Sequence, residues 1–70
     1  MMNKIIVLGA GMVGRAMAID LSKDLEVYSA DISEENLSKL SPHNIKTIKA
    51  DLSNKETIKE LIADKDLVIG

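Results

Sequence analysis

One stretch near the start constrains this chain more than any other. The apolar run Ile5-Ile6-Val7-Leu8 passes directly into Gly9-Ala10-Gly11-Met12-Val13-Gly14, and a helical pattern begins inside that segment. A short, mostly β-branched run of this kind predicts a strand buried on both faces. The glycines then fall in the spacing G-x-G-x-x-G between a strand and a helix, which is the context in which the spacing carries weight. Gly9 permits a tight turn out of the strand. Gly11 has no Cβ, so a pyrophosphate can approach the backbone, and Gly14 lets the helix lie against the strand. The helix start offers unbonded N–H groups and a positive dipole end to phosphate oxygens. Ala10, Met12 and Val13 fill the variable positions and belong to the same candidate cofactor site. The alternative is a tight strand-to-helix turn that holds no ligand.

The remainder alternates in the same way. A helix is expected from about Met12 to Ser22, with Val13, Met17 and Leu21 on one face and the small residues Gly14 and Ala18 beside them. Leu25 to Ala30 reads as a second strand. Ser33 caps a short helix whose first turn holds Glu34 and Glu35, where carboxylates suit the helix dipole. Ile45 to Ala50 reads as a third strand, and its imperfect alternation suits an outer position. Ser53-Asn54-Lys55-Glu56 has the S-x-x-E spacing of a capping box, opening a helix with Ile58, Leu61 and Ile62 inward. After the polar break Asp64-Lys65-Asp66, Leu67-Val68-Ile69-Gly70 begins a fourth strand.

This β-α-β-α-β-α-β order implies a parallel sheet with right-handed crossovers. The fold class is α/β, a Rossmann-type doubly wound sheet with strand order 3-2-1-4, incomplete because strand 4 is interior in that order. The Leu67-Val68-Ile69 edge would lie open, which native domains avoid. Residues 1–70 are therefore expected to be the N-terminal part of a dinucleotide-binding domain, with the catalytic and substrate domain absent.

Composition narrows the function. Lys and Arg number 9 against 11 Asp and Glu, a formal charge of −2, without the basic stripe of a nucleic-acid binder. There is no cysteine, which removes disulfides and thiolate metal sites, and no metal site is expected. The four-residue apolar run is too short for a secretory or membrane segment, so no membrane association and a cytoplasmic location are expected. Tyr28 is the only aromatic residue, so stacking on bases is not an available mode.

Acidic residues refine the cofactor. Asp31 stands 22 positions after Gly9, where the motif calls for an acid about 20 residues on that accepts from the adenosine ribose hydroxyls. A carboxylate there repels the 2′-phosphate of NADP. Like charges at about 4 Å and an effective dielectric near 20 cost about 4 kcal/mol before relaxation. The residues that follow, Ile32, Ser33, Glu34 and Glu35, include no base, which favours NAD over NADP. An ordinary polar loop residue or helix cap is the alternative for Asp31. Asp51 ends the third strand and could accept from the adenine amino group, with the Leu52 N–H facing a ring nitrogen. It could equally be the approach to the capping box. Arg15 reads as a surface helix residue, His43 as an isolated loop histidine, and the lysines as solvated faces.

The run Ile5 to Ala16, together with Val27-Tyr28-Ser29-Ala30-Asp31, Lys49-Ala50-Asp51-Leu52-Ser53 and Asp66-Leu67-Val68-Ile69-Gly70, resembles the start of saccharopine dehydrogenase-like proteins, which include saccharopine reductases and lysine 6-dehydrogenases. The resemblance implies an NAD-binding segment of an oxidoreductase that moves hydride to or from an amino-acid-type substrate. It strengthens Asp51 as an adenine contact and sets Gly70 against the cofactor. Ile32, beside Asp31, joins the same candidate set. Catalytic residues lie further on in that family, so none is assigned, and a homo-oligomer is expected of the full-length protein. The nucleotide-binding domains that regulate potassium transport (the KTN type) share the I-I-x-G-x-G-x-x-G-R start and an Asp after strand 2. They carry a G-D-A-T-like segment after strand 3, where this chain has Lys49-Ala50-Asp51-Leu52-Ser53.

Overall fold

The computed structural model describes residues 3–70. Along them run β1 (Lys4–Leu8), α1 (Met12–Leu21), β2 (Glu26–Asp31), α2 (Glu34–Ser38), β3 (Ile45–Lys49), α3 (Lys55–Ile62) and β4 (Leu67–Ile69). All strand pairings are parallel and the order is β3-β2-β1-β4. This is the doubly wound Rossmann arrangement that the alternating pattern implies. Element ends differ from the sequence reading by about a residue: β2 starts at Glu26 and takes in Asp31, and β3 stops at Lys49.

The short apolar run becomes an inner strand because it can bury both faces. Ile5, Ile6 and Val7 are all buried, and β1 bonds to β2 on one side and β4 on the other. Val7 and Val27 pack with Ala18, and Leu21, Leu25, Ile45 and Ile69 close around them. A second cluster of Ala10, Leu37 and Leu40, joined by Ile19, lies beneath the short helix α2. Asp66 sets the register where the chain re-enters the sheet. Its N–H donates to the Lys4 carbonyl, and its Oδ2 accepts from the Lys4 N–H, both at 2.8 Å.

Three local expectations are corrected. Val13 and Met17 do not face the sheet: Val13 is 73% exposed and Met17 38%, whereas Ala18 is fully buried. Helix rotation is set by the small residues. A Cβ added at Gly14 would overlap the Gly9 carbonyl oxygen and stand 3.2 Å from its carbon, so only the Gly14–Ala18–Leu21 side can approach closely. Second, Ser53 does not open α3. The cap is Asn54, whose side-chain oxygen accepts from Glu56 and Thr57 N–H; the Ser53 hydroxyl lies in the preceding turn, donating to Asp51. Third, Ile58, Leu61 and Ile62 are only half-buried, and no residue of α3 is fully buried.

Lys65, read as part of a polar break, has a different task. Its side chain is buried, its Nζ donates to the Leu61 carbonyl at 2.9 Å, and it lies 4.5 Å from the centroid of Tyr28. Lys46 sits 5.2 Å from the same ring. Tyr28 in turn donates to Glu26 Oε2 at 2.7 Å, and that bond holds the Glu26 carboxyl below its ordinary pKa. Among the described residues, no helix is long and apolar enough to cross a membrane.

Gly14→Ala gains about 1 kcal/mol in helix propensity but forces α1 off β1. We expect a net loss of about 1–3 kcal/mol, the usual cost of overpacking, measured by urea denaturation. An unchanged midpoint would mean that α1 can lift without consequence.

Candidate functional site

Parallel strands bring all their carboxyl ends to one edge, and the glycine loop sits at the centre of that edge. Gly9 leaves β1 with φ +108°, a conformation that side-chain-bearing residues rarely adopt. Its N–H donates to the Ala30 carbonyl at 2.7 Å, tying the loop to the end of β2. Gly11 is the N-cap of α1, in an extended conformation and with no side-chain cap bond. The first bond of the helix runs from the Arg15 N–H to the Gly11 carbonyl at 2.8 Å. The N–H groups of Met12, Val13 and Gly14 therefore have no intrahelical acceptor, and they point outward at the positive end of the helix. A Cβ added at Gly11 meets nothing within 4 Å. The space above Gly11 is open, as a phosphate cradle requires.

Asp31 is drawn directly into this loop. Its Oδ2 accepts from the Ala10 N–H at 2.6 Å and its Oδ1 from the Ser33 N–H at 2.8 Å. Those donors, Ser33 first and Ala10 second, hold the carboxyl below its ordinary range. Asp31 is thus charged at neutral pH, and it still has lone pairs beyond these two bonds. Ser33 caps α2 as expected, accepting from the Asn36 N–H at 3.2 Å. Ile32 beside it is 59% exposed.

On the other flank, Leu8, Gly9, Gly11, Met12, Met17, Ile69 and Gly70 line a cleft of about 310 Å³. Gly70 therefore sits across from the glycine loop. The exposed side chains of Met12, a candidate cofactor residue, and Met17, expected on the inward face of α1, form one of its walls.

Asp51 and Leu52 are not joined to the loop. They follow β3, two strands away from β1, and the nearest link is the Ala50 N–H to the Asp31 carbonyl at 3.0 Å. Asp51 Oδ1 accepts from the Ser53 hydroxyl at 2.6 Å and from the Ser53 N–H at 3.0 Å, and these bonds lower its pKa. Its local role is therefore to shape the turn into α3, and it stays exposed at the same edge. Leu52 is half-buried.

Lys49, expected as a solvated side chain, is indeed exposed. The register sets it directly opposite Asp31, and its Nζ lies 3.1 Å from Glu34 Oε1. Its place beside the candidate ribose site follows from strand order, which no local pattern around Lys49 reveals. His43 lies in the exposed turn before β3. Among the described residues, no group of His, Cys, Asp and Glu could hold a metal ion.

The family model described as saccharopine dehydrogenase NADP binding domain matches residues 5–70. The match falls on the dehydrogenase reading and not on the potassium-transport one. No individual curated protein matches the chain.

The lowered Asp31 pKa carries a sign. A carboxyl whose folded value is depressed adds stability that is complete above the unfolded value near 4 and is lost as pH falls through the folded value. Asp31→Asn should lower the melting temperature at pH 7 and flatten the acid limb below about pH 4. Glu26, Asp51 and Asp64 are depressed too, so the limb becomes shallower and does not vanish. Melting curves from pH 2 to 7 read this. A variant that follows the wild-type curve throughout would show that Asp31 adds nothing to loop stability.

Proposed function

Because the chain belongs to the saccharopine dehydrogenase NADP-binding domain family, and so is the dinucleotide-binding part of a larger oxidoreductase, we propose that it holds NAD in preference to NADP. The reaction we propose is hydride transfer to or from an amino-acid-type substrate, with the substrate-handling residues outside this chain. The observation that carries the cofactor reading is Asp31: a charged carboxylate fixed to the glycine loop through Ala10, at the place where an adenosine ribose meets that loop.

Each candidate residue has a part in this reading. The pyrophosphate lies over Gly11 and accepts from the N–H groups at the start of α1, with Gly9 shaping the turn and Gly14 holding the helix down. Asp31 accepts from the ribose hydroxyls with the lone pairs left over from Ala10 and Ser33. Ile32 offers an exposed apolar surface to the adenine, and Asp51 and Leu52 stand at its outer end. Met12, Val13 and Gly70 flank the cleft where the cofactor continues toward its reactive ring. The cofactor, when bound, supplies the hydride chemistry; this chain binds and orients it.

The name of the family includes NADP, and Asp31 is the reason to assign NAD here. A 2′-phosphate would bring about two negative charges against a carboxylate whose two protein donors are backbone N–H groups, not a cation. Hydrogen bonds to a charged group are worth about 1.5–3 kcal/mol, so Asp31→Ala should weaken NAD by roughly tenfold to a hundredfold. The same change should leave NADP unaffected or tighten it. Titration of both cofactors by calorimetry decides: an equal fall for both, or a wild type that already prefers NADP, removes the NAD assignment.

Gly11→Val tests the phosphate cradle separately. Gly11 has ordinary negative φ and open space at its Cβ, so the fold should survive with an unchanged circular dichroism spectrum. Affinity for either dinucleotide should fall at least about tenfold, through loss of close phosphate approach. Undiminished binding would mean that the pyrophosphate lies elsewhere.

A further inference from the structure

We propose that Lys49 is a cofactor-specificity residue kept out of use by Glu34, and that breaking their ion pair would let this lysine meet a 2′-phosphate. The proposal rests on the reading that Asp31 faces the adenosine ribose.

Lys49 is the last residue of β3 and stands directly across from Asp31, the last residue of β2. Cross-strand partners project from the same face of a sheet, so the lysine rises beside the ribose position. Yet it does not neutralise Asp31. The carboxylate is turned to the Ala10 and Ser33 N–H groups, and the ammonium is 3.1 Å from Glu34 Oε1 at the start of α2. Two acids and one base therefore share this corner, with the base committed to the acid further from the glycine loop. An incoming 2′-phosphate would face the uncompensated Asp31 and a lysine already engaged.

The pair is also easy to release. The side chains of Lys49 and Glu34 are 57% and 76% exposed, and exposed ion pairs shift an equilibrium by no more than about fivefold. What Glu34 controls is where the ammonium points and whether the corner is net negative. With Glu34 neutral, Lys49 is a flexible point charge of the kind that binds phosphate well, and the corner becomes neutral overall. NAD, which has only hydroxyls there, should be almost indifferent to the change.

The test is a cycle of Glu34→Gln, Lys49→Gln and the double variant, each titrated with NADH and NADPH at low salt by fluorescence. Glu34→Gln should tighten NADPH about three- to fivefold and leave NADH within about twofold. Lys49→Gln alone should change NADPH by less than about twofold, and in the double variant the gain should disappear. Raising the salt to 0.5 M should shrink the gain, as expected for a partly exposed charge contact. The proposal is overturned if Glu34→Gln gives no NADPH gain, or if the double variant keeps the whole gain, since loss of an acid alone would then explain it. It is likewise overturned if Lys49→Gln alone weakens NADPH strongly, because the lysine would already be free in the wild type. Asp31→Ala, run in parallel, separates this from the ribose reading. Equal loss of both cofactors there removes Asp31, whereas the expected Asp31 result with a silent Glu34→Gln removes only the role of Lys49.

Discussion

The contact between Gly14 and Gly9 is the constraint on which the other features turn. A side chain at position 14 would overlap the Gly9 carbonyl, so the first turn of α1 rests almost directly on the end of β1. That closeness leaves the chain no room between strand and helix except through a residue with positive φ, and Gly9 supplies it at +108°. It fixes the rotation of α1, which buries Ala18 and leaves Met12 and Val13 in the open. It also aims the helix start over the carboxyl end of the sheet, where unbonded N–H groups can meet an anion.

Asp31 converts that local arrangement into a shared one. Through Ala10 it holds the glycine loop, and through Ser33 it holds the entry to α2. The backbone at Asp31 also accepts from Ala50, the first residue beyond β3. One residue thus couples β1, β2 and β3 at the candidate site. That its leading donors are backbone N–H groups has an electrostatic consequence: the carboxylate is stabilised as an anion without an ion pair.

Much of this was legible in the residues, and the reasons differ from place to place. The strand order followed from alternation and crossover handedness, because a β-branched run such as Ile5-Ile6-Val7 has few other uses beside a glycine loop. Asp31 was legible because its distance from Gly9 is set by one helix and one strand of ordinary length. The facing of α1 was not. Apolar spacing favoured Val13 and Met17, but closeness at Gly14 outranks apolarity when a helix lies on a backbone. The α3 cap lies one residue later than the S-x-x-E spacing implies, because Ser53 belongs to the turn built on Asp51 and Asn54, the next residue, can also cap. The burial of Lys65 depends on Tyr28, which is 37 positions earlier and a neighbour only through the fold. The position of Lys49 opposite Asp31 is hidden for the same reason, since it comes from β2 and not from its sequence neighbours.

The strand order also sorts the chemistry of the carboxyl edge. On the β2–β3 side stand Asp31, Glu34, Lys49 and Asp51, all able to hold or repel charge. On the β4 side stand Met12, Met17, Ile69 and Gly70, lining a cleft without a charged side chain. Strand order reverses between β1 and β4, the topological switch point at which open α/β sheets receive ligands, and the glycine loop sits at that boundary. A dinucleotide laid across it would place its sugar hydroxyls among hydrogen-bonding groups and its far half against an apolar wall. Exposure of Leu67 and Val68 on β4 fits the same division, with apolar side chains on the β4 side and charged ones on the β3 side. Under the proposed reading, cofactor choice is therefore decided on the β2–β3 side, and the cleft beside β4 receives the other half of the dinucleotide.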